Sequence, residues 1–451
     1  MTQSVQNAIQ SPGEVSIDQL ILVSNNTYIS LLDYLVELNI FESIFNNILS
    51  GDIVISDSRN LIKSIPIIGD EYLIVNLTTP GFDSRIHKTF KITSVEDRQI
   101  IRDQNTQLYK LKFVSQEGII DSLSPMYNAF SGDISTLVEK IFAENLLTVR
   151  NLVFENGNLS GAIVPGLNKT PVVIFSETEN NVKFVSPGWT PFDCINWLSK
   201  KSIPKSGKSC NFLFWETNKS FYFGSIESLF DAQNTIGNYK YSATSVMRGT
   251  DDISEKMGLI QSIDIVNGFD YLSNLDNGYF ASKFIGVDLI HKKRNNTYYD
   301  HVSEFRKYNH AIKFNPKPIF NETTVIRNFD SHVRVYPVNP GIHNYINNNY
   351  SEKMNDIYGN RLSNMLDLNS LKLNITIYGR TDVEAGRIIS IDFPDVSPAG
   401  EAEISQSHLD QKYSGSYLIT SIHHKINIAK HMITMEVIRD SQPTEINWDY
   451  I

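Results

Sequence analysis

Apolar and polar residues alternate along most of the 451-residue chain in short runs punctuated by Gly, Pro and Asn, and long helical stripes are few. Period-two alternation sends successive side chains to opposite faces, so the pattern predicts mainly antiparallel β-structure with short helices, a β-rich α+β class. Two stripes have helical spacing. One is Ile40 to Leu49, apolar at 40, 41, 44, 45, 48 and 49; the other is Met354 to Leu366, with Met354, Ile357, Tyr358, Leu362, Met365 and Leu366 on one face. A third helix is expected after Thr190-Pro191, because threonine caps well and proline lacks only an N–H that the first turn does not use. Its apolar members are Phe192, Ile195, Trp197 and Leu198. Beyond it Phe212, Phe214, Phe221 and Phe223 alternate around the polar turn Thr217-Asn218-Lys219, which predicts an aromatic hairpin.

The chain also repeats itself. "FKITSVEDRQIIRDQNTQLYKLKFVSQ", from Phe90, and "YLITSIHHKINIAKHMITMEVIRDS", from Tyr417, match in register 327 positions apart. Phe90/Tyr417, Ile92/Ile419, Thr93/Thr420, Ser94/Ser421, Val95/Ile422 and Arg98/Lys425 correspond, and each copy runs into a second alternating strand, so both read as hairpins. Upstream, "NIFESIFNNILSGDIVI" from Asn39 and "NGFDYLSNLDNGYFASKFIGVDLI" from Asn267 share Asn-x-Phe-acid, a helical stripe, a glycine and a strand. Glycine-led strands, "GDEYLIVNLTTP" from Gly69 and "GRIISIDFP" from Gly386, complete each set and end at a proline that cannot continue a ladder. Phe41 to Thr93 spans 52 positions and Phe269 to Thr420 spans 151, so the second copy carries a 99-residue excess, assigned mostly to residues 292–370.

Composition narrows the classes. Forty Lys and Arg against fifty Asp and Glu give a net charge of −10, which opposes tight binding to a phosphate backbone. No run approaches the roughly 18 apolar residues of a membrane span, and the first residues do not read as a secretory signal. Two cysteines, Cys194 and Cys210, make neither a disulfide framework nor a zinc motif. His423 and His424 are adjacent on a strand and point to opposite faces; His431 on the return strand could approach one of them, which still leaves fewer ligands than a zinc site needs. "SIPKSGKS", Ser202 to Ser209, has serine where a phosphate loop has its first glycine, and a helix precedes it. Lys200, Lys201, Lys205 and Lys208 therefore read as a solvated basic loop. Glu401 and Glu403 sit among Pro, Gly, Ala and Ser, an exposed setting unsuited to a raised acid pKa. No catalytic, cofactor-binding or metal-binding residue is assigned, and the chain is expected not to be an enzyme.

Four segments resemble a known family: "IFESIFNNILSGDIVISDSRNLIKSIPIIGDEYLIVNLTTPG", the Trp-Thr-Pro-Phe helix with its "FLFWE" hairpin, "NGFDYLSNLDNGYFASKFIGVDLI" and "SGSYLITSIHHKINIAKHMITMEVIRDS". In this order they are similar to the central baseplate hub proteins of contractile-tailed phages of the T-even type, which are related to VgrG-type hubs. The resemblance implies two tandem tail-tube-like β-barrels with inserted α/β domains, and a homotrimer whose six barrels form a pseudo-hexameric ring. It implies a hexameric tail tube on one face, a trimeric tail spike on the other, wedge proteins around the hub, a possible tape-measure contact, and genomic DNA passing through the lumen without specific binding. The location implied is the virion baseplate, after assembly in the host cytoplasm.

The expected division is a first barrel with an N-terminal arm at 1–125 and a middle domain at 126–245. A second barrel follows at 246–295 and 370–441, interrupted by an insertion at 296–369, with a tail at 442–451. Trp448, Tyr450 and Ile451 in that tail are candidates for docking on the barrel or touching the spike. Two alternatives stand beside the hub: a tail-tube or wedge adaptor, and a tail-associated enzyme that degrades the cell wall.

Overall fold

A computed structural model describes residues 9–24, 27–64, 67–101, 106–146, 152–155, 158–161, 172–205, 211–241, 253–267, 271–289, 292–305, 310–311, 332–338, 350–368, 371–394, 409–410 and 412–441. The first body is built from β1 (Ser16–Ser24), β2 (Thr27–Ser30), β3 (Leu35–Ser43), β4 (Ser50–Asp57), β5 (Tyr72–Thr78), β6 (Arg85–Ile101) and β7 (Thr106–Ser115). They pair in the order β2-β1-β5-β6-β7-β4-β3 and curl around a core that includes Leu20, Leu38, Ile40, Ile53, Leu73, Phe90 and Phe113. The expected helix at Ile40 to Leu49 is not there. Residues 40–43 belong to β3, and a turn follows in which the Phe45 N–H bonds to Ser43 Oγ and the Asn46 N–H to the Ser43 carbonyl. The period-two set Leu38, Ile40, Glu42 wins because all three are buried, whereas Phe41 and Phe45 of the helical stripe are exposed. Gly51 permits the close approach, since a Cβ there would stand 2.3 Å from the Asn39 carbonyl oxygen and 2.4 Å from the Phe113 ring.

The middle segment contributes β8 (Ala129–Asp133), β9 (Leu152–Glu155), β10 (Asn158–Gly161), β11 (Val172–Ile174), β12 (Asn181–Val185), β13 (Phe212–Glu216) and β14 (Phe221–Ser225). The helix Pro191–Ser199 starts where expected: Thr190 Oγ1 accepts from the Asp193 N–H at 3.3 Å. With the helix Ile134–Asn145 it covers one face of the β13–β14 hairpin, burying Phe212, Phe214, Phe221 and Phe223. The other face carries Trp215 and Tyr222, and both are buried in the core of the second barrel.

That barrel uses β15 (Thr235–Tyr241) and β16 (Leu259–Asn267). Next come β17 (Ala281–Asp288), β18 (Lys293–Asp300) and β19 (His332–Val338), which form a separate sheet, and then β20 (Leu371–Tyr378), β21 (Ile388–Asp392), β22 (Gly415–Ile426) and β23 (His431–Arg439). The order β22-β21-β15-β16-β20-β23 closes on itself through the β22–β23 pairing. Closure leaves no free edge around the ring of strands except where a strand outruns its neighbour. Two expected boundaries move. Residues 235–241 are a barrel strand rather than the end of the middle domain, and β17, expected in the barrel, pairs with β18 and β19 beside the helix Tyr350–Asp367.

The repeat is present in the strand geometry from Phe90/Tyr417 to Val95/Ile422; beyond it one extra residue in β6, between Glu96 and Gln99, makes Gln99 rather than the expected Arg98 the counterpart of Lys425. In the β6–β7 hairpin the register shifts between Ile92 and Ser94; in β22–β23 it shifts between Ile419 and Ser421. The skipped residues are the matched threonines. Thr93 Oγ1 donates to the Lys112 carbonyl at 3.2 Å, and Thr420 Oγ1 donates to the corresponding Glu436 carbonyl at 3.1 Å. The glycine-led strands match as well. Gly69 and Gly386 have φ of 94° and 89°, and Leu73 faces Phe90 as Ile389 faces Tyr417. The upstream match, however, is β3–β4 with β16–β20. Leu38 pairs with Ile53 as Ile263 pairs with Ile375, and a bulge follows Leu35 in one and Ile260 in the other. The Asn39 and Asn267 segments therefore do not correspond: Asn39 matches Asp264, the strand that follows Asn267 is β17 of the separate sheet, and the interruption lies between β16 and β20.

Thr420 is buried and also bonds Glu436 Oε1 at 2.7 Å, whereas Thr93 is exposed. Thr420→Val is expected to lower unfolding free energy by about 1–2 kcal/mol in urea titration, and Thr93→Val by about 0.5 kcal/mol or less. Equal losses would contradict the reading of the two bulges.

Candidate joint between the two barrels

The first body, a curled seven-stranded barrel that no pairing among the described strands closes, and the closed second barrel share one sheet because β3, at the edge of the first, pairs antiparallel with β22 of the second from Leu38↔Ile426 to Ser43↔Ser421. Each barrel also lends an isoleucine to the other. Ile44, just past β3, is buried in the second core, and Ile426, at the end of β22, is buried in the first. Among the apolar residues on the inward side of the ladder lie three buried polar ones: Glu42 on β3, His424 on β22 and His431 on the neighbouring β23. Above it His423 stacks on Phe41 with ring centroids 4.6 Å apart and bonds Asn39 Oδ1 through Nε2 at 2.7 Å; Lys425 pairs with Glu37 at 2.9 Å.

The histidine pair thus divides as its strand position requires, one ring on each face. His431 does approach His424, with Nδ1 of His424 and Nε2 of His431 at 3.1 Å. The other nitrogen of His424 faces Glu42 Oε1 at 3.6 Å, so the three groups form a line rather than converge on one point. Among the described residues no group of three or more His, Cys, Asp or Glu could hold a metal ion. Burial, and then His424, hold the His431 imidazole well below its usual pKa, so it is neutral at neutral pH. Gly379 makes room for it, because a Cβ there would stand 2.1 Å from the His431 ring.

Three buried carboxylates fasten the middle domain into this joint. Glu42 accepts from the Asn218 N–H at 3.0 Å and the Ala385 N–H at 3.2 Å, tying the hairpin turn and the second barrel to β3. Glu384 accepts from Thr217 Oγ1 at 3.0 Å and Tyr222 OH at 3.1 Å and pairs with Arg387. Glu216 accepts from the Leu49 N–H at 2.9 Å and from Lys88 Nζ at 2.8 Å, both in the first barrel. The Thr217-Asn218-Lys219 turn, expected as a polar tip, is therefore a wedge; Thr217 and Asn218 are buried between the barrels. Buried charges need donors of this kind, and here the donors come from different segments of the chain. Sequence reasoning missed all three carboxylates. Glu42 carried a usable signal, since it continues the inward alternation of Leu38 and Ile40; Glu384 carried none.

Other candidates fall elsewhere. Lys205 pairs with Glu177 at 2.9 Å on the surface, and Lys201 lies 4.0 Å from the Trp197 ring centre, while residues 206–210 lie outside the described residues, with Lys208 and Cys210. Glu401, Glu403 and the tail from 442 also lie outside them. Cys194 is a buried free thiol, and burial pushes its pKa up, the opposite of a reactive cysteine. One chain of hydrogen bonds was not foreseen. Ser363 Oγ and His301 Nδ1 are 2.7 Å apart, His301 Nε2 and Tyr279 OH 2.8 Å, and Tyr279 OH donates to Asp367. All four residues are buried, so the chain ties the 350–367 helix to its sheet rather than presenting a hydroxyl to solvent.

Removing the Glu42 carboxylate leaves two buried N–H groups without an acceptor, so Glu42→Ala should cost about 2–4 kcal/mol in chemical denaturation. Beside the same wedge, burial and then Glu216 push Glu117 up to about 7. A group whose pKa is raised on folding adds stability below its unfolded pKa and loses it as pH rises through the folded value. Glu117→Gln should therefore raise the melting temperature at pH 8 and leave it nearly unchanged at pH 4, below the usual glutamate pKa; a stabilisation that grows on acidification would contradict the assignment.

No protein-family model matches the chain. A curated relative, "Probable baseplate hub protein" of Vibrio phage KVP40, is 22% identical over 427 residues, covering 91% of this chain and 91% of its own. Among solved structures, the tail protein from Neisseria meningitidis MC58 superposes with a TM-score of 0.52 at 13% identity, covering 94% of this chain and 96% of its own. The 43 kDa tail protein of prophage MuSo2 from Shewanella oneidensis gives 0.51 at 10% identity, covering 94% and 100%. The chain is mainly β, shares its fold with these tail proteins, and resembles a phage baseplate hub protein along nearly its whole length.

Proposed function

We propose that this chain is a structural baseplate hub subunit of a contractile phage tail. The observation that carries the reading is the fusion of two barrels of one strand-and-bulge plan, edge to edge, through β3 and β22. A chain built this way lets n copies present 2n similar barrels, so three copies offer sixfold pseudo-symmetry to a hexameric tail tube while keeping threefold symmetry for a trimeric spike. The full-length likeness to a baseplate hub protein supports the role, as does the tail-protein fold.

The role needs no catalytic group. Shared backbone ladders and exchanged core residues do the mechanical work. In this reading the first barrel takes residues up to 115, a middle unit follows to 234, the second barrel takes 235–267 and 371–441, and the insertion fills the gap between its two parts. Tail tube, spike and wedge proteins are its partners, and DNA passes without specific binding. The charge of −10 per chain suits that passage. Assembly takes place in the host cytoplasm.

Quantitative mass spectrometry of purified virions tests this. Three copies per tail are expected; six or twelve would favour a tube or wedge adaptor. A peptidoglycan zymogram of the purified chain should show no clearing, and a lytic band would sink the purely structural role.

A further inference from the structure

The joint inside the chain uses one edge from each barrel, and the repeat supplies a second copy of each edge. β22 pairs with β21 at 415–418, passes its bulge, and then gives residues 421–426 to β3. Its counterpart β6 pairs with β5 at 85–91 and passes the same bulge, and no described strand pairs with that edge beyond it. β3 gives residues 38–43 to β22; its counterpart β16 pairs with β15 only at 259–260, and its edge at 262–267 has no described strand beside it. Partner-strand registers fix the correspondence: Leu38 with Ile263, Ile40 with Ile265, Ile422 with Val95 and Ile426 with Ile100.

The paired positions in the internal joint are buried, with Ile40 and Ile426 at 0% and Ile422 at 2% exposure. Their unpaired counterparts are not: Ile265 is 56% exposed, Ile100 65% and Val95 37%. Open strand edges carrying apolar side chains are what a sheet-adding partner covers. Both free edges also depart from the internal joint by one extra residue at the same level, a bulge between Ile265 and Asn267 in β16 and one between Glu96 and Gln99 in β6. Placed opposite each other, the two extra residues stay in step.

We propose that β16 of one copy pairs antiparallel with β6 of the next, repeating the β3–β22 joint between chains, with Ile263 opposite Ile100, Asp264 opposite Gln99 and Asn267 opposite Glu96. The partner is a second copy of this chain. The contact is head-to-tail, so it closes a ring when the rotation between copies allows. This rests on the hub reading and adds to it the strands and register of the subunit contact.

Gln99→Cys and Asp264→Cys in one chain test the register, with the wild type and each single variant as controls. Residues directly opposite have Cβ atoms about 4.5–5.5 Å apart, within reach of a disulfide after a small adjustment or of a short bis-maleimide. The double variant should give covalent multimers on a non-reducing gel that stop at the native assembly size, with the single variants unlinked. Ile100→Asp should dissociate the assembly while leaving the circular dichroism spectrum and melting of the monomer unchanged, because the side chain is exposed in the single chain. An assembly of wild-type size, unlinked in the double variant and intact in Ile100→Asp, overturns the strand pairing and leaves the hub reading standing. A wild-type chain that is monomeric throughout, alone and with tail components, overturns both.

Discussion

The ladder between β3 and β22 is the constraint on which the other features depend. It merges the two bodies into one sheet, and it does so where, among the described residues, each lacks a strand of its own to pair. An unpaired backbone edge is exposed to unwanted pairing, so fusing the barrels removes two edges at once. The swap of Ile44 and Ile426 between cores then makes separation of the barrels a loss of apolar burial as well as of hydrogen bonds.

Around this ladder the chain places charge where charge is costly. Glu42, Glu216 and Glu384 are each buried, and each is satisfied by groups that arrive from another segment. Such groups add little net stability over apolar packing, yet they penalise every arrangement in which the donors are absent. The wedge of the β13–β14 hairpin therefore fixes the angle between the barrels more than it strengthens them. A hub that hands symmetry from one neighbour to another depends on that angle.

Much of this was legible in the residues, and the failures have physical causes. Thr93 and Thr420 are matched because a bulge needs a side chain that can bond across it, so the repeat left a literal trace. The aromatic alternation about Thr217 to Lys219 gave the hairpin, but not that its turn is buried, since burial of a polar turn depends on acceptors about 170 residues away. The stripe at Ile40 to Leu49 misled because Ile44 and Leu49 are buried for different reasons, one in each barrel, and their spacing imitates a helix. The β16–β20 pair was hidden by roughly a hundred intervening residues, and only apolar alternation links it to β3–β4.

The histidines that draw the eye in β22 turn out to mark the joint rather than a reaction. His423 packs on Phe41 outside, and His424 lines up with His431 and Glu42 inside. The most direct measurement of the account is the rotational symmetry of the purified assembly, seen down its axis by cryo-electron microscopy. Six similar lobes related by exact threefold symmetry are predicted, with the insertion sheets decorating alternate lobes. Three lobes with no pseudo-sixfold relation, or six identical ones, would contradict it.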